Sequence, residues 1–79
     1  MITYIELSQD ERKELFESTK NTDKICFLSE IDYYIFKNSL ENENNLYVIF
    51  LDGCIYNVCE MDEIENLLKE YSNDGYVIE

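Results

Sequence analysis

Seven carboxylates crowd the last quarter of this 79-residue chain: Glu60, Asp62, Glu63, Glu65, Glu70, Asp74 and Glu79, against the single base Lys69. They hold half of a formal net charge of −12. Carboxylates at this density can do acid–base work, ligate a metal, or offer negative charge to a cationic surface. The first use is poorly served. The chain has no histidine, which removes Ser-His-Asp and Cys-His nucleophiles and any imidazole base. A carboxylate pair for glycoside hydrolysis needs a cleft, which a chain this short is badly sized to build. Metal ligation fares little better. Calcium loops place acids at alternate positions around a central glycine, and the run Glu60, Asp62, Glu63, Glu65 has none. Gly53 and Gly75 stand alone as turn residues, with no loop to cradle a phosphate. The expectation is a chain without enzymatic activity, metal or cofactor.

Cys26, Cys54 and Cys59 lack the C-x-x-C spacing of zinc and redox sites. They read as three reduced, buried thiols acting as small hydrophobes. That reading implies a reducing compartment, hence the cytoplasm, or the host's cytoplasm for a phage-encoded chain. The N-terminal stretch from Met1 to Glu6 has neither the basic region nor the apolar run of a secretory leader.

Eighteen acids face only six bases. Such a surface cannot build the basic stripe that nucleic acid or an anionic membrane requires, so direct binding to either is excluded as an expectation. A codon bias toward Asn and Ile would have raised Lys with them, yet there are only five lysines. The negative charge is therefore read as selected. It also exceeds the magnitude of about 2–8 that solubility asks of a small domain.

The elements that must position these acids follow from local patterns. Ile2–Leu7 is rich in β-branched and aromatic residues and reads as a strand. Ser8 and Glu11 form a capping box ahead of a helix of about residues 9–19, whose thin apolar face is Leu15 and Phe16. A polar break covers Asn21, Thr22 and Asp23. Ile25–Leu28 fits either a buried strand or part of a helix. Ser29 with Asp32 then suggests an N-cap for a helix over about 29–41, on which Ile31, Tyr34 and Ile35 follow helical spacing. The Asn-rich 41–45 is a loop.

Asp52-Gly53 between Leu46–Leu51 and Cys54–Cys59 is the strongest short hairpin cue. A two-residue loop sets Leu51 against Cys54, Ile49 against Tyr56 and Tyr47 against Val58, all on one face. Both faces of the first of these strands are apolar, so each must be covered. The second cover is the remaining helix, a second copy in a homodimer, or the target. Asp62 and Glu65 suggest a capping box for a helix over about 61–71, with Ile64, Leu67, Leu68 and Tyr71 inward. Tyr76–Ile78 closes as a strand. The sum is a single small α+β domain, 1–79, with a mainly antiparallel sheet, a central Asp-Gly β-hairpin and two to three helices packed on it.

On the last helix Glu63 and Glu70 fall within about 20° of each other and roughly 10 Å apart along one ridge. An ordinary solvated face would look similar, but the global excess of acid favours a binding role. In size, acidity and lack of catalytic residues the chain is similar to phage-encoded inhibitors that mimic nucleic acid, among them anti-CRISPR, anti-restriction and glycosylase-inhibitor proteins. The likeness is to a functional class; it rests on no shared motif and transfers no residues. It implies a partner that is a basic nucleic-acid-binding protein or complex, contacted by Glu60, Asp62, Glu63, Glu65, Glu70, Asp74 and Glu79. The seven tyrosines are possible interface anchors, with Tyr47, Tyr56 and Tyr71 read as core filler. The alternative is a small acidic regulatory, adaptor or antitoxin-like module that meets a protein partner through an apolar sheet face.

Overall fold

A computed structural model describes residues 1–22 and 24–79; Asp23, read above as part of a polar break, lies outside them. The chain runs β1 (Ile2–Leu7), α1 (Gln9–Asn21), β2 (Cys26–Phe27), α2 (Glu30–Ser39), β3 (Leu46–Leu51), β4 (Cys54–Glu60), α3 (Ile64–Asn73). One four-stranded sheet in the order β1-β3-β4-β2 carries three helices, an α+β domain. The sheet is mixed: β1 and β4 flank β3 antiparallel, while β2 joins β4 in parallel.

Helix starts follow local chemistry. The Ser8–Glu11 capping box is formed, each partner satisfying the other's backbone amide. Ser29 caps α2 by accepting from the Asp32 amide, and its hydroxyl donates to the Asp32 carboxylate at 2.8 Å. The face that α2 buries differs from the one its spacing suggests. Phe36 and Asp32 are buried and Tyr33 half-buried, whereas Ile31 is 71% exposed and Tyr34 and Ile35 also face out. Periodicity identified a helix but not its inner side, because apolar residues stand all round it.

Both sheet faces are covered. Val48 and Ile55 pack with Phe16 of α1 and Phe36 of α2. Ile2, Ile49 and Cys59 pack with Ile64 and Tyr71 of α3. The second cover is thus the chain's own last helix.

Asp52 and Gly53, with φ of 51° and 84°, turn β3 into β4. Leu51 stands against Cys54 and Phe50 against Ile55, but Ile49 then faces Asn57, and Tyr47 faces Cys59. The register expected beyond the turn is therefore corrected. A β-bulge inserts Tyr56 as an unpaired extra residue, and every later side chain on β4 changes face. Val58 moves to the α1–α2 core, and Asn57 moves to the α3 side, where its Nδ2 donates to Tyr71 Oη at 3.1 Å. The strand expected at Tyr76–Ile78 shrinks to one parallel bridge between Ile78 and Ile2.

The cysteine reading is corrected as well. Cys26 and Cys54 stand opposite each other across the β2–β4 ladder, Cα atoms 4.9 Å apart, and form a disulfide; only Cys59 is free, and buried. The pairing was hidden because β2 is two residues long and its neighbour lies 28 residues away. Closing a loop of that length stabilises a fold by about 3–4 kcal/mol. Reduction, or the double change Cys26→Ser and Cys54→Ser, should lower the urea midpoint accordingly. Alkylation of the unfolded chain without reductant should label Cys59 alone. Three labelled thiols in protein purified under air would contradict the bridge.

Candidate functional site

The acids singled out from the sequence are carried by the end of β4, by α3 and by the segment after it, and all seven are exposed. Glu60 ends β4 opposite Leu46. The chain then turns, with the Glu63 amide donating to the Glu60 carbonyl at 3.1 Å. That turn consumes Asp62, so the expected Asp62–Glu65 capping box does not form. Glu63 is the N-cap instead, in helical conformation and without a side-chain cap bond.

The turn brings the carboxylates of Glu60, Asp62 and Glu63 within 4.8 Å of one another. Glu65 is not part of this group. Like charges this close repel, although the N-terminal end of the α3 dipole relieves part of the cost. Two turns on, Glu63 and Glu70 flank one shallow groove of about 270 Å³ with Asn66 and Leu67, so the ridge inferred from spacing exists. Glu65 projects elsewhere on α3, and among the described residues it makes no ion pair with Lys69.

The far end of α3 carries no relief. Its last turn holds no base; Glu70 sits there and Asp74 is the C-cap. Both oppose the helix dipole, at a cost of about 0.3–1 kcal/mol each. Glu79 lies farther along, its amide donating to the Ile2 carbonyl at 3.0 Å, at the opposite end of the sheet from Glu60. The seven acids are therefore spread from the Glu60 end of the sheet, along α3, to the Ile2 end, and are densest at Glu60, Asp62 and Glu63. They are not a single cluster.

The surface charge is more lopsided than composition suggests. Arg12, one of six bases, is wholly buried, while sixteen acids are exposed against five lysines among the described residues. Sequence reasoning missed this arginine. Its position one turn into an amphipathic helix, beside Phe16, is the only signal that was available.

Beneath the acids lies a cluster of three tyrosines. The rings of Tyr56, Tyr71 and Tyr76 stand 5.6–6.5 Å apart. Tyr71 is buried, Tyr47 and Tyr56 are half-buried, and Tyr76 is exposed. Burial pushes the Tyr56 phenol above its ordinary 10.0, helped by Tyr76 and the charge of Asp74. Burial likewise raises Tyr71, with Glu70 adding to it, against the opposing hydrogen bond from Asn57. The Cys59 thiol is raised from 9.0 by burial and then by Glu63. Each group holds its proton longer folded than unfolded. Their contribution to stability is complete below the unfolded values and is lost as pH rises through the folded ones. The urea midpoint should hold at about pH 8 and fall from about pH 9 upward, with Tyr71→Phe flattening the tyrosine part of that fall. A midpoint unchanged to about pH 11 would refute it.

No protein-family model, curated protein or solved structure matches the chain.

Proposed function

We propose that the protein is a non-enzymatic inhibitor that occupies the nucleic-acid groove of a basic DNA- or RNA-processing protein, as phage anti-defence proteins of the anti-CRISPR and anti-restriction kind do. One observation supports this most: Glu60, Asp62 and Glu63 crowd the start of α3, Glu63 and Glu70 border one groove on it, Asp74 caps its end against the helix dipole, and none of these acids is in an ion pair among the described residues. Placement that costs stability is retained where it serves binding. Duplex DNA presents one charge per about 1.7 Å, so a groove built for phosphates is lined with Lys and Arg at a spacing that a row of acids can meet.

Such a target works inside cells, so we place the action in the cytoplasm. The Cys26–Cys54 disulfide weighs against that placement, since such bridges persist mainly in oxidising compartments. The test is capture of partners from host lysate at low and high salt, with chelator present to exclude metal bridging. A nucleic-acid-binding protein retained at low salt and released at high salt supports the reading, because charge pairs at the surface are screened. Recovery of the target still holding its nucleic acid would sink it.

A second reading has its own observation. Leu28 just before α2, and Ile31, Tyr34 and Ile35 on it, leave large apolar side chains exposed, and a contiguous apolar surface marks partner contact. This suits the adaptor or antitoxin-like module, now through a helix. Its partner should remain bound at high salt.

A further inference from the structure

The ladder between β1 and β3 fixes which way the β1 backbone points. The Asp52 amide donates to the Met1 carbonyl, so residues 1, 3, 5 and 7 bond inward to β3, and 2, 4 and 6 point outward. Ile2 uses its outward groups: its amide donates to the Val77 carbonyl at 2.7 Å, and its carbonyl accepts from the Glu79 amide. The edge therefore already pairs with an extended segment. Beyond it, the outward amides and carbonyls of Tyr4 and Glu6 have no partner among the described residues. Tyr4 and Ile5 are 40% and 49% exposed. Folded proteins ordinarily protect such an edge with charge, proline or a bulge.

Beside this edge, on the α1 side of the sheet, lies a groove of about 370 Å³ floored by Ile5, Leu7, Leu15 and Phe50 and rimmed by Glu11 and Glu14. We propose that β1 is a docking edge for an extended partner segment in which apolar residues alternate with Lys or Arg. A strand paired with Tyr4 and Glu6 sends every second side chain over Ile5 into the apolar groove. The residues between them fall over Tyr4 and the Glu6 carboxylate, on the other face, where a cation meets both an aromatic ring and a negative charge. Backbone pairing supplies the affinity and the alternation supplies the specificity. A second copy is a poor occupant. Two β1 edges paired together would bring two Glu6 carboxylates close and join two bodies of charge −12. The docking groove lies on the α1 side of the sheet, whereas Tyr4 and Glu6 project on the α3 side, Tyr4 against Tyr47. The groove bordered by Glu63 and Glu70 shares none of these residues, so the two surfaces can be tested separately.

The probe is a synthetic seven-residue peptide alternating Lys and Val. Its control is the same peptide N-methylated at the amides that would pair. Hydrogen exchange should show the Tyr4 and Glu6 amides protected only when the peptide is bound. Titration should show the N-methylated form at least about tenfold weaker, and Ile5→Lys weakening the parent peptide similarly. Glu63→Lys with Glu70→Lys should leave its affinity within about twofold. Equal binding of both peptides would mean attraction by charge alone, and would overturn the proposal. So would dependence on Glu63 and Glu70, or protection of Tyr4 and Glu6 in a peptide-free dimer seen by sedimentation.

Discussion

Reversing Glu63 and Glu70 to lysine should reduce binding to the captured nucleic-acid-binding partner by at least a hundredfold, with the protein still folded. The two side chains border one groove on α3, both exposed, so substitution hardly touches either core. Two reversals change the charge by four units on one ridge. Each lost pairing at a partly desolvated interface costs about 2–5 kcal/mol, and steering weakens as well. The reversal also places a base in the last turn of α3, where the dipole favours it. Glu63→Lys sets a base against the positive end of that dipole but beside Glu60 and Asp62, so the two effects offset and stability should change little while affinity falls. The comparison is Glu17→Lys with Glu30→Lys, an equal change of charge on α1 and α2. If both double variants bind alike, the α3 side is not the contact surface. If neither loses affinity, mimicry of nucleic acid is the wrong mechanism.

Replacing Arg12 by methionine should cost about 3–5 kcal/mol of stability, against a total of roughly 4–12 for a chain of this size. Arg12 is fully buried and, among the described residues, has no carboxylate partner. Its Nη1 donates to the Asn44 carbonyl at 3.2 Å, and Nη2 donates to the carbonyls of Asn42 and Asn44. Gln9 adds a bond from Nε2 to the Leu40 carbonyl at 2.9 Å. The Asn-rich connection between α2 and β3 is thus held from α1 by side chains donating to its backbone. Methionine keeps the apolar stem but strands those carbonyls, and hydrogen bonds to a charged group are each worth about 1.5–3 kcal/mol. Lys13→Met, the exposed neighbour, should stay within about 0.5 kcal/mol. Equal urea midpoints for the two variants would show that Arg12 is no anchor.

The capping chemistry of α1 and α2 was legible because it is local. Ser8 with Glu11, and Ser29 with Asp32, meet within one turn, and nothing distant competes. The same logic failed at Asp62 and Glu65. There the end of β4 imposes a turn from Glu60 to Glu63, which moves the helix start past Asp62. The acidic ridge of Glu63 and Glu70 was readable from helical spacing alone, since seven residues make nearly two turns in either frame. The close approach of Glu60 to Asp62 and Glu63 was not, because it depends on that turn.

By itself the sequence determined the class of fold, the positions of the helices and the sign and location of the charge. Those properties sum over short windows of residue type. Tertiary structure decided what depends on distant partners. A bulge at Tyr56 moved Val58 and Asn57 to opposite faces, and nothing near Tyr56 in the chain announces it. A two-residue strand acquired its meaning, and Cys26 its disulfide, only by lying against residues 54 and 55. Arg12 became a core residue because a loop thirty residues away offered it carbonyls. α2 turned Phe36 inward and Ile31 outward because Phe16, Val48 and Ile55 were waiting on one side alone. In each case local propensity left two arrangements near in energy, and burial against a non-local surface separated them.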